Sequence, residues 1–301
     1  MLFRSEQAAY IVERLIDEAA RETGRDPIEL RRRNMIPRSA MPYKTSVGRV
    51  YDSGEFEAVL DKTLQLADWE GYEHRRNASA AAGKIRGRGL ACYLENVGGF
   101  PHEGAKIRFD GAGKVDVIVA AQSQGQGHET SFVQVVAERL GVPFEAVMLH
   151  QGDSDDAPRG IATIASRSMI MTGSAMARTC GAVIEKGRLV AGHFLEAAAA
   201  DIEFTNGNFR VAGTDRQIAL FELVTRLKAW PERPADLPAS LDSSEEYAAS
   251  DQFFPNGCHV CEIEIDPETG NLTVDRYTAV DDVGIVINPM IVHGQVHGGV
   301  A

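Results

Sequence analysis

Residues 105–130 read AKIRFDGAGKVDVIVAAQSQGQGHET, and the change of period inside this stretch decides the fold. Ala105, Ile107 and Phe109 alternate with Lys106 and Arg108, the pattern of a half-buried strand. Asp110-Gly111-Ala112-Gly113 has turn chemistry, and residues 115–120 make the return strand. A polar loop over residues 122–127 follows, after which Phe132, Val136 and Leu140 recur at helical spacing. Hairpin, loop and helix, without regular alternation of strand and helix, predict an α+β class.

Working outward, the N-terminal side is mainly helical. Ala8, Ile11, Val12, Leu15, Ile16 and Ala19 form an apolar helical face opposite Glu13, Arg14, Asp17 and Glu18, and Gly24 ends that helix. Asp26-Pro27 supplies an N-cap and a first-turn proline for a short helix through Asn34, which Ile36-Pro37 stops. Helices are predicted over residues 56–67 and 69–82, and a strand over 87–96. The change of texture near Gly83 predicts two regions, 1–83 and 84–301.

On the C-terminal side a long helical stretch over residues 166–200 is interrupted by Gly173 and Gly192. Short strands over 201–204 and 209–211, a helix over 219–228 and a loop marked by Pro231, Pro234 and Pro238 come next. Residues 260–266 and 272–280 make a second hairpin, followed by a glycine-containing loop and a helical stretch with Gly294-Gln295. The two hairpin–loop–helix units read either as halves related by weak internal symmetry or as a common order met twice.

The chain has 301 residues, 44% of them hydrophobic, enough for one large domain or two smaller ones. Lys and Arg number 31 against 43 Asp and Glu, and the net charge of −12 argues against a nucleic-acid surface or a polybasic membrane patch. No run approaches the roughly 20 apolar residues of a membrane span, and the first residues hold no apolar core for a signal peptide. A cytoplasmic protein handling a small molecule is the expectation. Cys92, Cys180, Cys258 and Cys261 are too few and too unevenly spaced for a disulfide framework, and they read as structural thiols.

Three stretches are candidates for chemistry. In Gln124-Gly125-Gln126-Gly127-His128, glycines between a strand and a helix let backbone amides approach an oxygen-rich ligand. The glutamines both donate and accept, which suits a heterocycle or an oxo group. The spacing is neither a Walker loop nor a dinucleotide fingerprint, and a polar loop with a helix cap is the plainer reading. Thr163, Ser166, Arg167 and Ser168 combine hydroxyls, a guanidinium and a helix start, either as an anion cradle or as simple capping. The acidic run at residues 153–156 lacks the ligands of a calcium loop and reads as a solvated turn. The third stretch runs from Gly284 to Ala301 and includes Asn288-Pro289 and the run from His293 to Gly299. His293 and His297 in it are one helical turn apart, but no third ligand completes a zinc site, so no metal-ligating side chain is assigned. Cys258 and Cys261 sit on a strand where i and i+3 face opposite ways. No Ser-His-Asp or Cys-His nucleophile set emerges.

Together with the N-terminal run ending Arg33-Asn34-Met35-Ile36-Pro37, these blocks resemble the molybdenum-binding large subunit of the xanthine dehydrogenase, aldehyde oxidase and carbon monoxide dehydrogenase family. Four blocks match in order over nearly the whole chain. The resemblance implies a molybdenum-cofactor-binding fold, with residues 1–83 as the C-terminal part of a first molybdenum domain and 84–301 as an incomplete second one. It implies that Gln124, Gly125, Gln126, Gly127 and His128 bond the pterin and its phosphates, that Thr163, Ser166, Arg167 and Ser168 cradle the cofactor from another side, and that Gln295 touches the pterin.

The implied cofactor is molybdopterin cytosine dinucleotide with molybdenum. Iron–sulfur clusters and FAD would reside on a small and a medium partner subunit, in a heterotrimer able to form a homodimer. The implied activity is oxidation of an aldehyde, an N-heterocycle or carbon monoxide with water-derived oxygen. The family's general-base glutamate is expected beyond Ala301, so the chain reads as a fragment without turnover of its own. The alternatives are a non-catalytic binding or scaffold protein that keeps the fold, and an unrelated nucleotide-binding protein using the Gly/Gln loop.

Overall fold

The computed structural model describes residues 5–97, 102–249 and 253–301. Residues 1–4, part of the segment read for a signal peptide, lie outside them. From the N-terminal side run helices α1 (Ser5–Thr23) and α2 (Pro27–Asn34), a small ribbon of β1 (Tyr43–Lys44) and β2 (Val50–Tyr51), helices α3 (Phe56–Leu66) and α4 (Tyr72–Ala81), and strand β3 (Ile85–Leu94). Then come β4 (His102–Phe109), β5 (Val115–Val119), α5 (His128–Leu140), β6 (Val147–Gln151) and α6 (Gly173–Phe194). Strands β7 (Ile202–Thr205), β8 (Asn208–Val211) and β9 (Gln217–Ala219) lead to α7 (Leu220–Lys228) and β10 (Ser243–Ala248). The last elements are β11 (Asn256–Ile265), β12 (Leu272–Asp282) and α8 (Pro289–Val300).

These elements form two compact units: residues 1–97 with 251–285, and residues 98–250 with 286–301. A single cut near residue 83 does not describe that division, because β3 pairs along its length with β11 and stays with the N-terminal helices. Both hairpin–loop–helix runs are present, but the second one has its hairpin in the first unit and its helix α8 in the second.

In the first unit an antiparallel sheet in the order β12-β11-β3 carries α1, α3 and α4. Its apolar cluster is small: Ile28, Leu60, Ala67, Leu90, Cys258 and Val260. Charge fills the remaining depth. Glu262, 1% exposed, takes Arg75 Nη2 at 2.6 Å and Arg86 Nη1 at 2.9 Å. Arg31 on α2 donates to Glu13 at 2.6 Å and Asp17 at 2.9 Å, and its Nη2 also reaches the Leu90 carbonyl.

This last cluster overturns the reading of α1. Ile11, Val12 and Leu15 are 58%, 54% and 63% exposed, while Glu13 is buried. The helix turns its charged side inward because the buried guanidinium of Arg31 has to be neutralised there.

In the second unit the sheet order is β10-β4-β5-β6, antiparallel except for the parallel pair β5–β6. Helix α5 is the crossover between those parallel strands, a single βαβ unit that the sequence reading did not contain. Ile107, Val117, Phe132, Val136, Leu140, Met176, Val183 and Phe209 lie in one continuous apolar core. The helical stretch foreseen over 166–200 is shorter: Ser166 has a left-handed backbone, residues 168–172 form a π-turn, and the α-helix ends at Phe194.

Candidate functional site

Because β5 and β6 run parallel, the loops leaving their C-terminal ends emerge on the same sheet edge, where open α/β units bind ligands. The first is residues 120–127 and the second residues 152–167. Gln122 ties them together. Its carbonyl accepts from Thr163 Oγ1 at 2.6 Å, and its Oε1 accepts from the Thr163 amide at 3.4 Å. Ser168 Oγ in turn donates to Thr163 Oγ1 at 3.1 Å.

The second loop is also strapped to β4. Asp156 takes Lys106 Nζ at 2.8 Å and Arg108 through both guanidinium nitrogens, and these cations hold its carboxyl below the usual range. Asp153 and Asp155 remain exposed, in the solvated turn that the sequence suggested. Further along, Glu103 on β4 is fully buried and accepts from the Ile161 amide at 3.2 Å and from Arg167 Nη1. Burial pushes the Glu103 carboxyl up, and its bonds to Arg167 and the Ile161 amide oppose that shift.

Gly160 is needed for this packing, since a Cβ there would lie 2.2 Å from Glu103 Oε1. Arg167 Nη2 donates to the His102 carbonyl at 3.0 Å. The guanidinium expected to face an anion is therefore turned inward as a loop anchor, because the buried Glu103 carboxylate claims it.

The third stretch meets the first at the N-terminus of α5. Gly127 has φ +75°, and a Cβ on it would lie 2.5 Å from Ile291 Cδ1 of α8. Asn288 caps α8 by accepting from the Ile291 amide at 3.0 Å, while its Nδ2 donates to Gln134 of α5 at 2.8 Å. Gln295, His293 and His297 lie exposed along α8, and no cluster of three or more potential metal ligands occurs among the described residues.

The geometry of the first loop fits an oxygen- and nitrogen-rich guest. Gln124 and Gly125 are exposed, and nothing lies within 4 Å of a Cβ built on Gly125. Gln126 Oε1 accepts from the Gln124 amide, and the other end of the same amide group, Nε2, is buried without a partner among the described residues. A buried donor left unbonded costs about 1–3 kcal/mol, which a ligand acceptor would recover. No side chain caps α5, so its positive end is open to an anion.

His128 points the other way. Its ring stacks on Phe132 with centroids 4.1 Å apart and pairs with Gln151 Oε1 at 3.0 Å, and burial holds it below the usual imidazole range. Ser166 is exposed beside Ala165, and both have left-handed backbone, a costly pair for non-glycine residues.

Gln122, Glu103, Gln134 and Gln151 were given no role from the sequence, although Gln122 and Gln151 open the first two candidate stretches. Only Glu103 carried a signal: it shares the inward parity of Ala105, Ile107 and Phe109, and an inward charge requires a partner.

Among the described residues no helix is long and apolar enough to cross a membrane. Residues 62–301 match the family model described as a molybdopterin cofactor-binding domain. The chain is 33% identical to the carbon monoxide dehydrogenase large chain of Hydrogenophaga pseudoflava, over 99% of this chain and 39% of that one. It is 32% identical to the nicotine 6-hydroxylase large subunit of Paenarthrobacter nicotinovorans, over 96% of this chain and 37% of the relative.

Among solved structures, CO dehydrogenase from Oligotropha carboxidovorans superposes with a TM-score of 0.90 at 32% identity, covering 99% of this chain and 39% of that one. Quinoline 2-oxidoreductase from Pseudomonas putida 86 gives a TM-score of 0.87 at 33% identity, covering 96% and 38%. The chain thus spans about two fifths of the length of these relatives. With an α+β fold, converging loops and these likenesses over nearly its whole length, the chain belongs to the molybdenum-binding large subunits of the xanthine dehydrogenase, aldehyde oxidase and carbon monoxide dehydrogenase family.

Proposed function

We propose that this chain grips molybdopterin cytosine dinucleotide for a molybdenum hydroxylase that oxidises an aldehyde, an N-heterocycle or carbon monoxide. The observation that carries the reading is the meeting of three stretches on the 120–127 loop, through the Gln122–Thr163 bonds and the close approach of Ile291 to Gly127, beside a Gln126 Nε2 with no partner among the described residues. Gln124, Gly125, Gln126 and Gly127 would present amide donors and acceptors to the pterin and its phosphates. Thr163, Ser166 and Ser168 would offer hydroxyls from the second loop, and Gln295 would reach the pterin from α8. His128 and Arg167 would act as positioning residues, holding the loops through Gln151 and Glu103. When bound, the group supplies the redox chemistry that moves water-derived oxygen to carbon.

In this reading both compact units belong to the molybdenum region, and the general base is none of the residues named above. Iron–sulfur and FAD subunits would carry the electrons onward, in a cytoplasmic heterotrimer that can pair into a homodimer. The test is molybdenum content per chain after production in a host that makes the dinucleotide cofactor. Molybdenum should co-purify, and Gln126→Ala should lower it about tenfold, the loss of about 1.4 kcal/mol of binding, with an unchanged circular dichroism spectrum. Equal and negligible metal in both folded proteins would sink the reading and leave the scaffold alternative. A thermal shift with cytidine diphosphate, absent with the pterin, would favour the nucleotide-binding one.

A further inference from the structure

Away from the three loops, two thiols on the first unit's sheet face each other. Cys92 on β3 and Cys258 on β11 are directly opposed in antiparallel register, and Cys92 Sγ donates to Cys258 Sγ at 3.3 Å. Opposed residues in such a pair have Cα atoms about 4.5–5.5 Å apart, inside the about 4.4–6.8 Å that a disulfide spans. Closing the sulfurs to a bond of about 2.0 Å therefore asks for side-chain rotation and leaves the strands in place. Cys258 is 1% exposed, and half-buried Cys92 gives the pair its access to solvent. The shared S–H holds the Cys258 thiol below its ordinary range and the Cys92 thiol above it.

The other two cysteines lack this geometry. Cys180 is sealed in the second unit's core, where burial pushes its thiol up to about 12. Cys261 stands opposite Gly89 on one side and Tyr277 on the other.

We propose that Cys92 and Cys258 are an oxidisable dithiol, a modification site that peroxide converts into a cross-strand disulfide and a dithiol reductant restores. One thiol gives up its proton, its sulfur takes an oxygen from peroxide as the O–O bond breaks, and the departing hydroxide takes up that proton, so that a sulfenic acid and water result. The second sulfur displaces the sulfenic hydroxyl, which leaves as water with the remaining thiol proton. In sum, two thiols lose two protons and two electrons while one peroxide becomes two waters. The bond would join β3 to β11, the strands between which the chain leaves the first unit after Val97 and returns. This inference does not depend on the cofactor reading.

The test treats the folded full chain with a slight excess of hydrogen peroxide, alkylates the remaining thiols and maps the peptides without reduction. Alkylatable cysteines should fall from four to two, with Cys92 and Cys258 in one linked peptide, Cys180 and Cys261 still alkylated, and full recovery after a dithiol reductant. Cys258→Ser and Cys92→Ser should each abolish the link. The proposal is overturned if all four thiols stay alkylatable, if either cysteine proceeds to sulfinic acid unlinked, or if the link forms only in denaturant.

Discussion

In the second unit Phe132, Val136, Leu140, Met176 and Phe209 fill a continuous apolar core, whereas in the first unit Arg31, Glu13 and Glu262 occupy positions of similar depth. The first kind of burial is non-directional, and each side chain adds stability roughly in proportion to the apolar area it hides. The second works only when every charge meets its partner, since a buried ion left alone costs several kcal/mol. Apolar packing of that kind tolerates imperfect neighbours; buried charges, including the Glu103–Arg167 pair of the second unit, demand particular ones. Trp69 lies in the first unit and Trp230 in the second, so fluorescence after Trp230→Phe or Trp69→Phe reports each unit separately.

The largest effect is expected from Phe132→Ala, which opens a cavity under a ring that is 0% exposed and should cost about 3–5 kcal/mol in denaturant unfolding followed at Trp230. Next is Arg31→Met, which strands Glu13 without its cation and should cost about 3 kcal/mol on the Trp69 signal. The pair Glu13→Leu with Arg31→Met sharpens the contrast: replacing the buried Glu13–Arg31 pair by apolar volume, with the partly exposed Asp17 left to solvent, should return stability to within about 1 kcal/mol of the parent. A double variant as unstable as the single one would mean that the cluster does more than neutralise itself.

The smallest effect concerns His128. Burial lowers its folded pKa, so its neutral form stabilises the native state fully above the unfolded value of about 6.5. That contribution is lost as pH falls through the depressed folded value. Between pH 7 and pH 5 the parent should therefore lose more stability than His128→Gln, whose side chain does not titrate; parallel curves would refute this.

The same contrast explains what the sequence could disclose. The hairpin 105–119 and the helix behind it were legible because period 2 gives way to period 3.6 within one short stretch, and both faces of that pattern are satisfied in the fold. Helix α1 misled because its apolar face is strong locally, while the partner that draws its charged face inward, Arg31, lies 18 residues from Glu13 and is itself held by the Leu90 carbonyl, 77 residues from Glu13. Strand β10 was invisible for a related reason: Ser243-Ser244-Glu245-Glu246 is polar because it forms a sheet edge, where charge discourages unwanted pairing. At the candidate site the glycines and hydroxyls could be read from composition, whereas the inward turn of Arg167 and the Gln122–Thr163 bonds depend on how β4, β5 and β6 lie side by side.

The discontinuous first unit also has a consequence for biosynthesis. Strand β3 leaves the ribosome about 160 residues ahead of β11, its only strand neighbour among the described residues, a wait on the order of 10 s at about 5–20 residues per second. Through that interval the nascent N-terminal helices have one strand of three to rest on, with its edges unpaired. Translation speed across residues 98–250, or a chaperone bridging that gap, would then bear on the yield of native molecules.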